Sequence, residues 1–307
     1  MNPGDVERVI AELGTIARPG EPVGARTTYR VGGNAAVFVE AEAEDDLISL
    51  GRVLSKIGAV PVLVLGRGSN LLIADEGFDG VVVTLGEGFS SISIEGTSVR
   101  AGGATSLPVL ARRTAAVGLT GLEWAVGVPG SVGGAVRMNA GGHGAETVET
   151  LRRYRVVSLT SGEARDHDVG DLQATYRHTS IAPCDVVVWG EYQLAVGDRD
   201  RSEAQISEIV RWRRENQPGG QNAGSVFTNP PGDSAGRLIE AAGLKGFRVG
   251  SAFVSPKHAN FFQADEGGSA NDVRALILEV QRRVEEVHGV RLQPELRMVG
   301  FSDEASP

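Results

Sequence analysis

Residues 222–230 read Asn-Ala-Gly-Ser-Val-Phe-Thr-Asn-Pro, a turn of small residues that delivers Ser225 with backbone amides on either side. Apolar Val226 and Phe227 follow it, and Gly224 permits close backbone approach to whatever faces the serine. The segment reads either as a site loop on a packed support or as a tight turn with a capping serine. A second group able to do chemistry is Arg177, in Ala174-Thr175-Tyr176-Arg177-His178-Thr179-Ser180. Its planar fork could clamp a carboxylate, or it could be a solvated loop arginine. The third is Glu295. From 290 to 298, Val290, Leu292, Leu296 and Met298 alternate with Arg291, Gln293, Glu295 and Arg297, which predicts a strand. Pro294 argues for an edge position, and Glu295 then points away from the apolar face, toward solvent or a cleft.

Two glycine-rich stretches could hold a ligand by its backbone. Gly66-Arg67-Gly68-Ser69-Asn70 follows the apolar strand Val62–Leu65 and can present successive amides to a diphosphate, or can simply turn the chain. It is not a Rossmann fingerprint, because the third glycine is missing and Leu71–Ala74 reads as a strand rather than a helix. The longer stretch, 121–144, interleaves glycines with Leu122, Trp124, Val126, Val128, Val132, Val136 and Met138. Linkers are polar, so this backbone is pressed against either a large flat ligand or a crowded packing contact.

Elements to position these groups are legible from periodicity. Helices are expected at 6–17, 43–57 and 106–117, the last capped by Ser106. A β–α–β unit ends at the 66–70 loop, a hairpin turns near Gly96, and strands lie near 152–159 and 185–196. Gly197-Asp198-Arg199-Asp200-Arg201 marks a charged junction, after which Ser202 and Gln205 make a capping box for a helix that stops before Pro218. Arg211, Arg213 and Arg214 end that helix as a local basic patch. Lys257 and His258 add a second basic stretch before a long helix with a Val273, Leu276, Ile277, Val280, Val284 stripe.

Composition narrows the classes. The chain has 307 residues, more than one core usually serves, and 41% of them are hydrophobic. A net charge of −9 argues against a broad nucleic-acid surface. The single cysteine, Cys184, excludes an internal disulfide and a cysteine metal cluster, so no metal is expected. Ala59–Leu65, the most apolar run, is too short to span a bilayer, and Met-Asn-Pro-Gly-Asp at the start lacks signal-peptide features. A cytoplasmic protein without membrane contact is expected.

Taken together, the motifs resemble those of the UDP-N-acetylenolpyruvoylglucosamine reductases, flavoenzymes of bacterial peptidoglycan precursor synthesis. The resemblance runs from about Thr27 to Gly300. It rests on Thr-Tyr-Arg-Val-Gly-Gly (28–33), 66–70, Gly-Val-Pro-Gly-Ser-Val-Gly-Gly-Ala (127–135) and Met-Asn-Ala-Gly-Gly (138–142). It continues through Tyr-Arg-His-Thr-Ser (176–180), 222–230, His-Ala-Asn-Phe (258–261) and Gln-Pro-Glu-Leu-Arg-Met-Val-Gly (293–300). It implies an α+β chain: a two-lobed FAD-binding unit of the vanillyl-alcohol-oxidase (PCMH) type, followed by a C-terminal α/β substrate-binding domain. The expected segments are 1–84, 85–200 and 201–307.

The resemblance further implies non-covalent FAD, its diphosphate held by Gly66, Arg67, Gly68, Ser69 and Asn70 and by Gly127, Pro129, Gly130, Ser131, Gly133 and Gly134. NADPH would be the co-substrate and the enolpyruvyl nucleotide sugar the substrate. By motif, Ser225 matches the proton donor, and Arg177 and Glu295 match the pair that polarises the substrate carboxylate. Asn229 lies in a matching motif, and Tyr176, Arg213, Lys257 and His258 are further substrate-binding candidates. Thr228 stands where many members carry lysine, which puts one phosphate contact in doubt, and no inserted loop is present, which places the chain in the shorter branch. Two other readings compete: another FAD-dependent oxidoreductase of the same fold, and a non-catalytic nucleotide-sugar sensor. The first is disfavoured as a tethered-flavin oxidase because the 66–70 loop offers no His or Cys, the second because all three chemical residues are present.

Overall fold

Val186, Val187 and Val188 are all buried, so the strand Asp185–Gln193 has apolar cover on both faces. Successive side chains of a strand point opposite ways. Val187 therefore joins one hydrophobic cluster, with Leu107, Leu110, Trp124 and Val132, while Val186 and Val188 join another, with Val39, Leu47, Leu50 and Val83. The neighbouring strand Leu151–Ser158 splits in the same way, Val156 to the first cluster and Val157 to the second.

The computed structural model describes residues 1–302, and the chain divides into two units. Unit 1 comprises 1–19, 37–67 and 80–213. Its five-stranded antiparallel sheet runs in the order Ala164–Asp168, Leu151–Ser158, Asp185–Gln193, Ser98–Gly102, Ile92–Glu95. A four-stranded sheet runs Ala17–Pro19, Ala35–Ala41, Phe78–Leu85, Val62–Val64, its last pair parallel. The helices are α1 (Pro3–Leu13), α2 (Glu44–Ile57), α3 (Leu107–Ala116), α4 (Val132–Met138), α5 (Thr147–Thr150) and α6 (Arg199–Asn216). α2 sets Leu47, Leu50 and Leu54 into the second cluster and carries Glu44, Asp45 and Asp46 at its N-terminus, where negative charge suits the helix dipole.

Unit 2 comprises 20–36, 68–79 and the chain from 214 onward. It holds α7 (Ala235–Ala241), α8 (Ala270–His288) and the antiparallel sheet Arg248–Val249, Ala252–Val254, Phe262–Ala264. The apolar stripe of α8 packs with Tyr29, Leu72, Phe227 and Phe262 in a third cluster. Ser269 caps α8 by accepting from the Asp272 amide, Asp75 accepts from the amides of Ala270 and Asn271, and Gly289 ends the helix at φ 66°.

Four local expectations are corrected. α6 begins at Arg199, not Ser202: the side chain of Asp198 accepts from the Arg201 amide, while buried Ser202 turns inward and donates to Glu123 at 2.6 Å. A charged residue just ahead of the helix reaches its free amides sooner than the expected serine. Ser106 sits at the N-cap of α3 without a side-chain bond. The opening helix ends at Leu13 and continues as a single 3-10 turn, Gly14–Ile16. The predicted strand over 290–298 shrinks to Arg297–Val299, which pairs parallel with Leu71–Ile73. Pro294 lacks the N–H that a continuous ladder needs, yet the burial alternation of Leu292, Glu295 and Leu296 survives. The charged 197–201 stretch lies within unit 1, at the start of α6.

Candidate active site

In unit 2, Ser225 and Glu295 are brought into register by backbone bonds. The Glu295 amide donates to the Val226 carbonyl at 2.8 Å, and the Thr228 amide donates to the Gln293 carbonyl at 2.9 Å. On the other edge, the Val226 amide donates to the Asn260 carbonyl at 2.9 Å. Asn260 adds its side chain: Oδ1 accepts from the Phe227 amide at 3.0 Å and Nδ2 donates to the Phe227 carbonyl at 2.8 Å. Ser225 thus stands at the head of a segment fastened on both sides. Among the described residues its hydroxyl makes no hydrogen bond. Gly224 has φ 78°, and a Cβ there would meet open space, so the chain itself requires the positive φ rather than a close approach.

Asn70 couples to the same arrangement. Its Nδ2 donates to the Glu295 carbonyl at 3.1 Å, and its own carbonyl accepts from the Arg297 amide at 3.2 Å. Gly68, with φ 63°, packs so tightly that a Cβ would stand 2.5 Å from Thr27 Cα. Asn229 is exposed and accepts from the Ala235 amide at 3.1 Å, which holds the start of α7. Lys257 donates to the Arg214 carbonyl at 2.5 Å. His258 lies edge-on to Phe261, 4.7 Å between ring centroids, and burial pushes its imidazole below the ordinary range.

In unit 1, Arg177 sits at φ 57°, a conformation costly for a side chain of its size. Its Nη2 donates to the Gly141 carbonyl at 2.8 Å, and its guanidinium lies 4.9 Å from the ring centre of Tyr176, itself 54% exposed. Asn139, buried and left-handed at φ 42°, organises this corner. It donates to the Thr175 carbonyl at 3.2 Å and to Glu146 at 2.8 Å, and accepts from the Val148 amide at 3.1 Å. Arg213 is half-buried, and burial lowers its pKa. Burial and Arg213 together lower that of His143.

The two glycine-rich loops divide their labour. In 127–135, the amides of Val132 and Gly133 are already given to the Thr105 and Gly103 carbonyls, each at 2.9 Å. Gly133 is required by packing, since a Cβ would lie 2.9 Å from the Val187 carbonyl oxygen. The amides of Gly66, Arg67, Gly130 and Ser131 give no hydrogen bond among the described residues. A Cβ on Gly66 would stand 3.0 Å from Ser131 Oγ, so these groups converge. Uncommitted amides beside an arginine suit a diphosphate, and the residues present therefore fit FAD.

Sequence reasoning missed Asn139 and Asn260 as site residues, although both lay inside motifs it used. Their signal is a buried carboxamide bonded to main chain, which no spacing rule reveals. Among the described residues no group of three or more His, Cys, Asp or Glu is placed to hold a metal ion.

Comparison with known proteins gives the class first. Residues 35–167 match the model of an FAD binding domain, and the BBE-like 1 protein of Physcomitrella patens shares the fold at 14% identity, TM-score 0.56, over 92% of this chain and 88% of that one. The chain is an FAD-containing oxidoreductase of α+β fold, with a C-terminal domain after the cofactor unit. Residues 216–299 match the C-terminal domain of UDP-N-acetylenolpyruvoylglucosamine reductase. The enzyme of that name from Heliobacterium modesticaldum is 44% identical over 92% of this chain and 90% of its own length. The crystal structure of the Thermus caldophilus enzyme is similar with TM-score 0.78 and 35% identity, over 90% of this chain and 97% of that one. The chain belongs to the UDP-N-acetylenolpyruvoylglucosamine reductase family.

Proposed function

We propose that this chain reduces the enolpyruvyl group of UDP-N-acetylglucosamine enolpyruvate to give UDP-N-acetylmuramate, with NADPH as co-substrate. FAD, held by the 66–70 and 127–134 loops, would supply the hydride chemistry that links oxidation of NADPH to reduction of the vinyl carbon. The remaining work falls to the chain. Hydride addition to an unsaturated acid builds negative charge on the carboxyl group, which the fork of Arg177 holds, with Glu295 as its partner in polarising that carboxyl. Ser225 then gives its proton to the carbon beside the carboxylate. A hydroxyl is a weak acid, so this step depends on placement. The observation that carries the reading is Ser225 itself: backbone fastened on both edges, hydroxyl uncommitted.

Gly66, Arg67, Gly68, Ser69 and Asn70, with Gly127, Pro129, Gly130, Ser131, Gly133 and Gly134, form the cofactor loops in this reading. Gly130 and Ser131 have amides to offer, while Gly133 shapes the fold behind them. Tyr176, Arg213, Asn229, Lys257 and His258 contribute to binding the nucleotide sugar in the same reading. Segments 1–84 and 85–200 serve the cofactor and 201–307 the substrate, a division supported by family matches at 35–167 and 216–299. No helix among the described residues is long and apolar enough to cross a membrane, which supports work on a small solute in the cytoplasm.

The test is an anaerobic titration of the purified holoenzyme. Flavin absorbance should bleach with NADPH and return with the enolpyruvyl nucleotide sugar. Bleaching without return would assign the chain another electron acceptor. No flavin, even after adding FAD, would favour the nucleotide-sugar sensor.

A further inference from the structure

Asn260 is 3% exposed, and a carboxamide so deeply buried is costly unless both its ends are bonded. Both are, to one residue. Oδ1 accepts from the Phe227 amide and Nδ2 donates to the Phe227 carbonyl, at 3.0 and 2.8 Å. The main-chain carbonyl of Asn260 takes the Val226 amide as well, at 2.9 Å. Three of the four backbone N–H and C=O groups of Val226 and Phe227 therefore end on Asn260, on its side chain or its own carbonyl.

The reason lies in the local topology. Ser225 and Phe261 form an isolated antiparallel bridge. A regular ladder would return the Asn260 amide to the Val226 carbonyl, but that amide donates to His258 Nδ1 at 3.3 Å and the Phe261 amide donates to the His258 carbonyl at 3.0 Å, so the main-chain pairing stops there. The carboxamide of Asn260 has the same donor and acceptor pair as a peptide group, and beyond the last main-chain bond it takes both backbone groups of Phe227. On the opposite edge, Val226 O takes the Glu295 amide. Whatever fixes Phe227 thus fixes the register of Ser225 against Glu295.

We propose that Asn260 is a positioning residue for proton delivery: its side chain stands in for a strand partner and holds Ser225 in line with the carbon it protonates. The inference rests on the role given to Ser225 above. A carboxamide that merely fills the core would affect stability alone. One that aims Ser225 affects only the half-reaction in which the proton moves.

The experiment compares holoenzyme of wild type, Asn260→Ala and Asn260→Asp in two separate rapid-mixing measurements. Flavin reduction by NADPH should keep its wild-type rate in all three. Reoxidation by saturating nucleotide sugar should slow about 10- to 100-fold in both variants, in kcat rather than KM, since about an ångström of misplacement costs that much. A solvent deuterium isotope effect on reoxidation should rise in the variants. Unchanged reoxidation, or equal slowing of both half-reactions, would overturn the proposal. A wild type that is never reoxidised by the sugar contradicts the proposed function instead. Should both variants fail to fold, hydrogen exchange of the wild type decides: the amides of Val226 and Phe227 should be among the slowest in unit 2, and exchange as fast as that of Gly219 and Gly220 would overturn the clamp.

Discussion

Ser225, Arg177 and Glu295 are ordinary residue types whose chemistry depends on what holds them. Each is held through main chain by a nearby asparagine: Ser225 through Asn260, Glu295 through Asn70, and Arg177 through the Asn139 bond to Thr175. Arg177 illustrates why geometry outweighs charge. Its guanidinium already donates to the Gly141 carbonyl, and its planar fork has the bidentate geometry that matches a carboxylate. Arg177→Lys keeps the charge and loses the fork. We expect a fall in flavin reoxidation of about 100-fold, the scale of a lost oxyanion donor, with flavin reduction by NADPH unchanged. Stopped-flow absorbance of each half-reaction checks it, and a fall in both would place Arg177 at the cofactor instead. The residues proposed as reactive come from the family resemblance, whose motifs are specific in order and spacing. Asn139 and Asn260 were not legible in the sequence, because an amide bonded to main chain has no period and no charge signature.

At the level of elements, helices and the main strands followed from periodicity, while their starts did not. Ser202 looked like a cap and proved to be an internal donor to Glu123, and the strand around Glu295 lost its ladder to Pro294. Caps depend on which side chain reaches the free amides first, a matter of tertiary placement. Asp75 is the clearest case: it lies far from α8 in sequence, yet it accepts from the amides of Ala270 and Asn271 at 2.8 and 3.0 Å. Asp75→Ala should lower unfolding stability by about 1–2 kcal/mol in urea titration, the range for a lost N-terminal cap. The glycine loops also resolve into two kinds of requirement. A methyl on Gly133 would press on the Val187 carbonyl, whose atoms belong to the central strand. Gly133→Ala should cost about 1–3 kcal/mol as an overpacking defect and lower the melting temperature of FAD-free protein too. A variant weakened only in FAD affinity would show that Gly133 touches the cofactor directly.

For the whole molecule, titration of the two shifted histidines ties stability to pH. His258 and His143 both have imidazoles held below their ordinary value of 6.5, chiefly by burial. The unfolded chain then binds more protons than the folded one as pH drops through 6.5, so stability is full above that value and falls below it, until the folded forms protonate as well. Melting temperature should decline from pH 7 toward pH 5 by more than in a variant with His143→Gln and His258→Gln combined. Equal slopes would remove the histidines from the account. Three hydrophobic clusters among the described residues give the chain the cores that its length implied.

The most direct test of the central claim is a single-turnover comparison of wild type and Ser225→Ala, each loaded with FAD, reduced by NADPH and mixed with the enolpyruvyl nucleotide sugar. The account predicts flavin reduction at equal rates in both and reoxidation slowed by about 100-fold or more in the variant, the scale of a lost general acid. Reoxidation at the wild-type rate, with normal product, would mean that the proton comes from elsewhere and that the fastened turn at Ser225 serves only the fold.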